Sequence, residues 1–257
     1  MINQENLCIV TTVHNKRYIK HFKTKLLKSY IKLGSKIPIL VCTNCVKELE
    51  EITIKYPQIK LFETNNLRSY DTKNKKYENL LDADKKPKTY ANYPWNIRRH
   101  IIRKGFEEGY TAVWWLDSDI CLKYSDNDIL DKLNQYNANN SIIAEGSVYT
   151  YSNKDLHLRD EVIKVYNNKN WNININDLSG YDGPSAFYIG KKNFFFNFIN
   201  KWSAMTTYSY KNNVHCGRIP DSFIINIMFV VAQTGINIIN TGYIFSKPKH
   251  NPDDRYN

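Results

Sequence analysis

The sequence predicts an α/β protein with a mixed, mainly parallel sheet flanked by helices, and three observations carry that prediction. Short, nearly continuous apolar runs rich in β-branched residues recur at residues 6–13, 37–42 and 59–63, as in strands buried on both faces. Segments with apolar residues at helical spacing separate them, so strand and helix alternate as in doubly wound sheets. A further apolar run, residues 111–122, carries two carboxylates in its middle.

The elements follow in order. Between the first two strands, Ile19, Phe22, Leu26, Leu27, Tyr30 and Ile31 recur at helical intervals among lysines, predicting a helix over 17–33, with Gly34 where it would stop. Residues 46–55 predict a second helix, ended before Pro57. Residues 65–88 break the rhythm: they are dense in Lys, Asp and Asn, a surface loop or a lid, because loops this long inside a compact domain are mostly functional. Pro94 suits a first helical turn, and Ile97, Ile101, Ile102 and Phe106 form the inward stripe of a helix closing near Gly109, with Arg98, Arg99 and Arg103 on its other face. Beyond residue 122 the pattern predicts a helix at 126–136, a strand at 141–144, a helix at 160–166 and a strand at 186–189. Apolar helices at 194–202 and 222–231, a last strand at 236–239 and a polar tail at 246–257 complete the reading. No internal repeat and no linker divide the chain, so residues 1–257 are expected to form one domain.

Composition narrows the function. The chain has 257 residues, 42% hydrophobic and 24% charged, which excludes a disordered or collagen-like protein. No run of eighteen uncharged apolar residues occurs and the first residues are polar, so the expectation is a cytoplasmic protein that does not span a membrane. Thirty-six basic against 25 acidic residues give a net charge of +11, which favours polyanionic partners: nucleic acid, nucleotide phosphates or anionic surfaces. Lys (28) far exceeds Arg (8), so lysines on solvated faces are the plainer account of the same charge. The five cysteines are odd in number and scattered, and no second pair follows Cys42 and Cys45 at zinc-ribbon spacing, so a structural role is expected for that CxxC.

The chemistry concentrates in Val113-Trp114-Trp115-Leu116-Asp117-Ser118-Asp119-Ile120. Carboxylates at i and i+2 near a strand end are expected on one side, roughly 7 Å apart along the chain. That spacing suits Mg²⁺ or Mn²⁺, hard ions that bind through one or two carboxylates plus substrate phosphates. The end of a buried parallel strand is also where open α/β folds bind ligands. The competing reading is a solvated turn in which Asp117 or Asp119 caps the next helix.

This segment resembles the DXD strand of GT-A glycosyltransferases. Three further features fit in order: the N-terminal βαβ half, the arginine-bearing helix before the DXD, and Gly183-Pro184-Ser185-Ala186-Phe187. The resemblance implies a GT-A-like fold with a nucleotide-sugar half at 1–122 and an acceptor half with C-terminal tail at 123–257. It implies a nucleoside-diphosphate sugar donor held through Mn²⁺ or Mg²⁺ and an acceptor hydroxyl on a glycan or lipid-linked sugar. The +11 charge, the Lys/Asn-rich loop and the nineteen tyrosines also suit a modified nucleic-acid base as acceptor, in a viral, DNA-modifying role in a host cytoplasm. By the same resemblance Asp119 is the direct metal ligand and Asp117 contacts ribose or the ion. Thr11 and Thr12 line the nucleoside pocket, and Arg98 and Arg99 neutralise diphosphate or touch the sugar. His250, in Lys247-Pro248-Lys249-His250, is a third metal ligand, although the His follows Lys-Pro here instead of preceding it; His215 is the substitute. Asp182 and Asp221 are candidate bases for an inverting transfer, with Asp221 alternatively an ordinary helix cap.

Two other functions compete. A non-catalytic nucleic-acid-binding module on the same fold would keep salt-sensitive binding without Asp117 and Asp119. A nucleotidyltransferase would share the carboxylates and metal but usually opens with a glycine-rich loop, and Thr11-Thr12-Val13-His14-Asn15 has no glycine.

Overall fold

All seven residues of β1 (Leu7–Val13) are buried, and the strand lies inside a sheet with parallel neighbours on both sides. The computed structural model describes residues 2–14, 16–64, 94–135, 141–145, 186–190, 237–240 and 246–247. After β1 come α1 (Lys16–Thr24), α2 (Leu26–Lys32), β2 (Ile39–Thr43), α3 (Glu50–Lys55) and β3 (Ile59–Glu63). Then follow α4 (Pro94–Glu107), β4 (Ala112–Leu116), β5 (Cys121–Leu122), α5 (Asp126–Gln135), β6 (Ser141–Glu145), β7 (Ala186–Ile189), β8 (Asn237–Asn240) and β9 (Ser246–Lys247). The predicted loop at 65–88 and the predicted helices at 160–166, 194–202 and 222–231 lie outside the described residues.

Seven strands form one sheet in the order β3-β2-β1-β4-β7-β6-β8. β3, β2, β1 and β4 are mutually parallel, β7 is antiparallel to β4 and β6, and β8 is parallel to β6. The mixed, mainly parallel sheet expected from the sequence is therefore present. Its parallel half puts the ends of β1, β2 and β4 on one edge, which is where the DXD segment emerges.

Alternation along the strands serves two cores. Leu7, Ile9, Val13, Ile39, Val41, Trp114 and Leu116 pack with Phe22, Leu26, Leu27 and Tyr30 of α1 and α2 and with Ile129 and Leu133 of α5. The opposite set, including Cys8, Val10 and Val113, is buried under α4 with Ile101, Ile102 and Phe106. There Gly105 allows a close approach: a Cβ on it would lie 2.9 Å from Val113 Cγ2 and 3.1 Å from Cys8 Sγ.

Two expectations are corrected. The helix expected over 17–33 is two helices, broken at Lys25, which takes φ −116° and ψ −81°. The Thr24 hydroxyl donates to the Lys20 carbonyl at 2.7 Å, a back-bond that bends helices. On α4, Arg98 and Arg99 are buried. The polar tail begins as a strand, with β9 antiparallel to β5 through Cys121 opposite Lys247 and Leu122 opposite Ser246. Cys42 is buried with its Sγ 3.7 Å from the Thr64 hydroxyl, and Cys45 Sγ lies 3.1 Å from Asn44 Oδ1.

Candidate active site

β4 ends at Leu116, and the chain turns at once: the Ile120 amide donates to the Asp117 carbonyl at 3.1 Å. Asp117 and Asp119 are thus the first and third residues of a β-turn, so the strand-rise argument for their spacing does not apply. Neither aspartate caps the next helix. Ser125 does that for α5, its Oγ donating to Asp128 Oδ2 at 2.6 Å and accepting from the Asp128 amide at 3.3 Å.

The two carboxylates are held differently. Asp117 Oδ1 accepts from Trp115 Nε1 at 3.0 Å and from an Arg98 guanidinium nitrogen at 3.2 Å. Arg98 stacks on Trp115, with Cζ 4.6 Å from the ring centroid, so indole and guanidinium form one clamp on one oxygen. Burial of Arg98 at 3% exposure makes a carboxylate partner necessary, since a guanidinium does not deprotonate. Asp119 is 7% exposed, and its Oδ2 lies 3.7 Å from His21 Nδ1 of α1. Arg98 rises from the helix on one face of the sheet and His21 from the helix on the other. The turn therefore holds its acids between two layers at the carboxyl edge.

The other expected residues fall as follows. Thr12 is 8% exposed and lies beside Cys42 across the β1–β2 ladder, at the same edge. Thr11 is fully buried, and its hydroxyl has no hydrogen-bond partner among the described residues. Arg99 is buried next to Arg98 on α4. Asp182, Asp221, His215 and His250 lie outside the described residues. Two histidines at this edge escaped the sequence reading. His14, just past β1, has Nδ1 3.5 Å from the Thr64 hydroxyl after β3, and His21 reaches Asp119. His14 carried a weak signal, as a polar residue ending a buried strand; His21, set among lysines in a helix, carried none.

Among the described residues, no group of three or more His, Cys, Asp and Glu side chains is placed to hold a metal ion. Asp119 and His21 supply one oxygen and one nitrogen donor, so the donor set suits an ion such as Mn²⁺ but is partial.

No family model and no curated protein matches the chain by sequence. Solved structures match it. The apo form of mouse xyloside xylosyltransferase 1 superposes with a TM-score of 0.57 at 9% identity, covering 91% of this chain and 84% of that one. A mannosyltransferase from S. cerevisiae gives 0.52 at 13% identity, covering 91% and 68%. Core-mannan synthase A from Aspergillus fumigatus, in an Mn/GDP form, gives 0.52 at 11%, covering 91% and 72%. The chain has a GT-A-like fold. On a GT-A-like sheet, the turn holding Asp117 and Asp119 closes the strand that carries the DXD pattern.

Proposed function

We propose that this protein is a metal-dependent glycosyltransferase that moves a sugar from a nucleoside-diphosphate donor to an acceptor hydroxyl. The observation that carries the proposal is the unequal treatment of the two acids. Asp117 is neutralised by Arg98, whereas Asp119 faces an imidazole, a partner that can itself ligate an ion. Asp119 is the direct ligand on this reading, and Asp117 is set by its clamp to accept a hydrogen bond from ribose or to join the ion. Thr12 lines the nucleoside pocket with Thr11 behind it, and Arg99 faces the diphosphate. A divalent ion, when bound, offsets the charge that develops on the departing diphosphate.

His250 is the proposed third ligand. β9 runs antiparallel to β5, so its carboxyl end points back along the chain toward Asp119, and His250 follows Lys247 by three residues. Three residues span at most about 11 Å, enough for a short return to the turn. Asp182 or Asp221 serves as the base that takes the acceptor proton if the transfer inverts. The acceptor is a glycan or a modified nucleic-acid base.

Thermal-shift binding with Mn²⁺ and a panel of UDP, GDP, CDP and ADP sugars tests this. The expected result is stabilisation by one nucleotide class that needs both metal and Asp119, and disappears in Asp119→Ala. No nucleotide-dependent shift under any condition would reject the transferase and leave the binding module.

A further inference from the structure

We propose that the solvent face of α1 and α2 docks nucleic acid and leads it past the Asp117–Asp119 turn. Residues 16–36 contain Lys16, Arg17, Lys20, Lys23, Lys25, Lys28, Lys32 and Lys36, all exposed, and no acid. None of the seven lysines pairs with a carboxylate among the described residues; Lys23 reaches only the Glu48 carbonyl, at 3.2 Å. On α4 and β3, by contrast, cations are answered. Arg103 pairs with Glu107 at 2.8 Å, and Glu108 takes Lys104 at 2.8 Å and Lys60 at 3.3 Å. General lysine enrichment would scatter acids through this stretch as it does at 46–63, so the local absence is the informative fact.

The lysines line up along each helix. Lys16, Lys20 and Lys23 fall at i, i+4 and i+7 on α1, and Lys25, Lys28 and Lys32 at i, i+3 and i+7 leading through α2. On either side of the break at Lys25, the nine residues of α1 extend about 14 Å and the seven of α2 about 10 Å, so each helix offers point charges to a few neighbouring phosphates. It is also unfavourable for the helices themselves: Lys16 and Lys20, and Lys28 and Lys32, are like-charged pairs one turn apart, and neither first turn holds an acid. A polyanion relieves both.

An anionic membrane suits the face less well. Phe22, Leu26, Leu27 and Tyr30 turn into the core, and Ile31 is the one large apolar group these helices expose among the described residues, so no apolar wedge is offered to a bilayer. His21, between Lys20 and Lys23 on the same helix, meets Asp119, which sets α1 beside the turn. As a claim about the acceptor, the inference rests on the transferase reading; as a claim about binding, it stands alone.

Fluorescence anisotropy of a labelled 20-base-pair duplex, titrated from 50 to 200 mM salt, tests it. Lys20→Gln/Lys28→Gln should lower the slope of log K against log salt by about 2. Its melting temperature should hold or rise, and metal-dependent nucleotide stabilisation should be unchanged. The exposed pair Lys47→Gln/Lys55→Gln, which removes the same charge elsewhere, should alter the slope much less. Equal losses in both pairs, no duplex binding by the native chain, or tighter binding to phosphatidylserine vesicles than to duplex would each overturn the proposal. Duplex binding without nucleotide stabilisation would keep the docking face and reject the transferase; nucleotide stabilisation without duplex binding would do the reverse.

Discussion

Asp117 shows how one residue ties fold to function, because the same oxygen receives an indole from β4 and a guanidinium from α4. Removing Arg98 strips a half-buried carboxylate of its charge partner, so Arg98→Ala should cost roughly 2–4 kcal/mol in urea unfolding. Arg98→Lys should recover only part of this, since an ammonium neither forks to the carboxylate nor stacks flat on Trp115. A double-mutant cycle with Asp117→Asn should show coupling well above 0.5 kcal/mol, and additive losses would refute the clamp. The acids were legible because two carboxylates interrupted an apolar run. Burial of the arginines was not: periodicity assigns residues off the apolar stripe to solvent, and it does not see that α4 is covered at Arg98 and Arg99 as well. His21 was illegible for another reason, since nothing in a lysine-rich helix announces which residue will meet a distant turn.

At the scale of elements, α4 and α2 make separate predictions. Gly105→Ala raises helix propensity, yet its Cβ would press on Val113, a β-branched side chain with little freedom to move. The net effect should be a loss of about 1–3 kcal/mol, relieved by adding Val113→Ala, with thermal melts as the measurement. Tyr30 of α2 donates to the Ile37 carbonyl at 2.9 Å, and burial pushes its phenol up to about 12 from 10.0. A raised folded pKa means that its contribution is fully present below pH 10 and lost as pH climbs from 10 toward 12. Tyr30→Phe should therefore be less stable than the native chain at pH 8 and lose less stability between pH 10 and 12. The strands of the parallel half were readable because two-sided burial demands unbroken apolar runs. The break at Lys25 and the strand at Ser246–Lys247 were not, since each depends on a local or long-range hydrogen bond that leaves no periodic trace.

Across the whole molecule, Asp126 joins three distant segments. Its Oδ1 accepts from the Ser35 hydroxyl at 2.5 Å, and its Oδ2 from the Lys36 amide at 2.6 Å and Gln4 Nε2 at 3.3 Å. Asp126→Ala should lower unfolding stability by about 3 kcal/mol, because buried donors lose a charged acceptor. That stitch holds α5 against the core and, through it, the short segment leading from the acidic turn. The central claim is that Asp119 binds a divalent ion together with a nucleoside diphosphate, and Mn²⁺ electron paramagnetic resonance measures this directly. With UDP or GDP present, the native chain should remove free Mn²⁺ from solution beyond what the nucleotide alone removes, and Asp119→Ala should return the signal to the nucleotide-only level. Equal Mn²⁺ uptake by both chains, or none by either, would contradict the account.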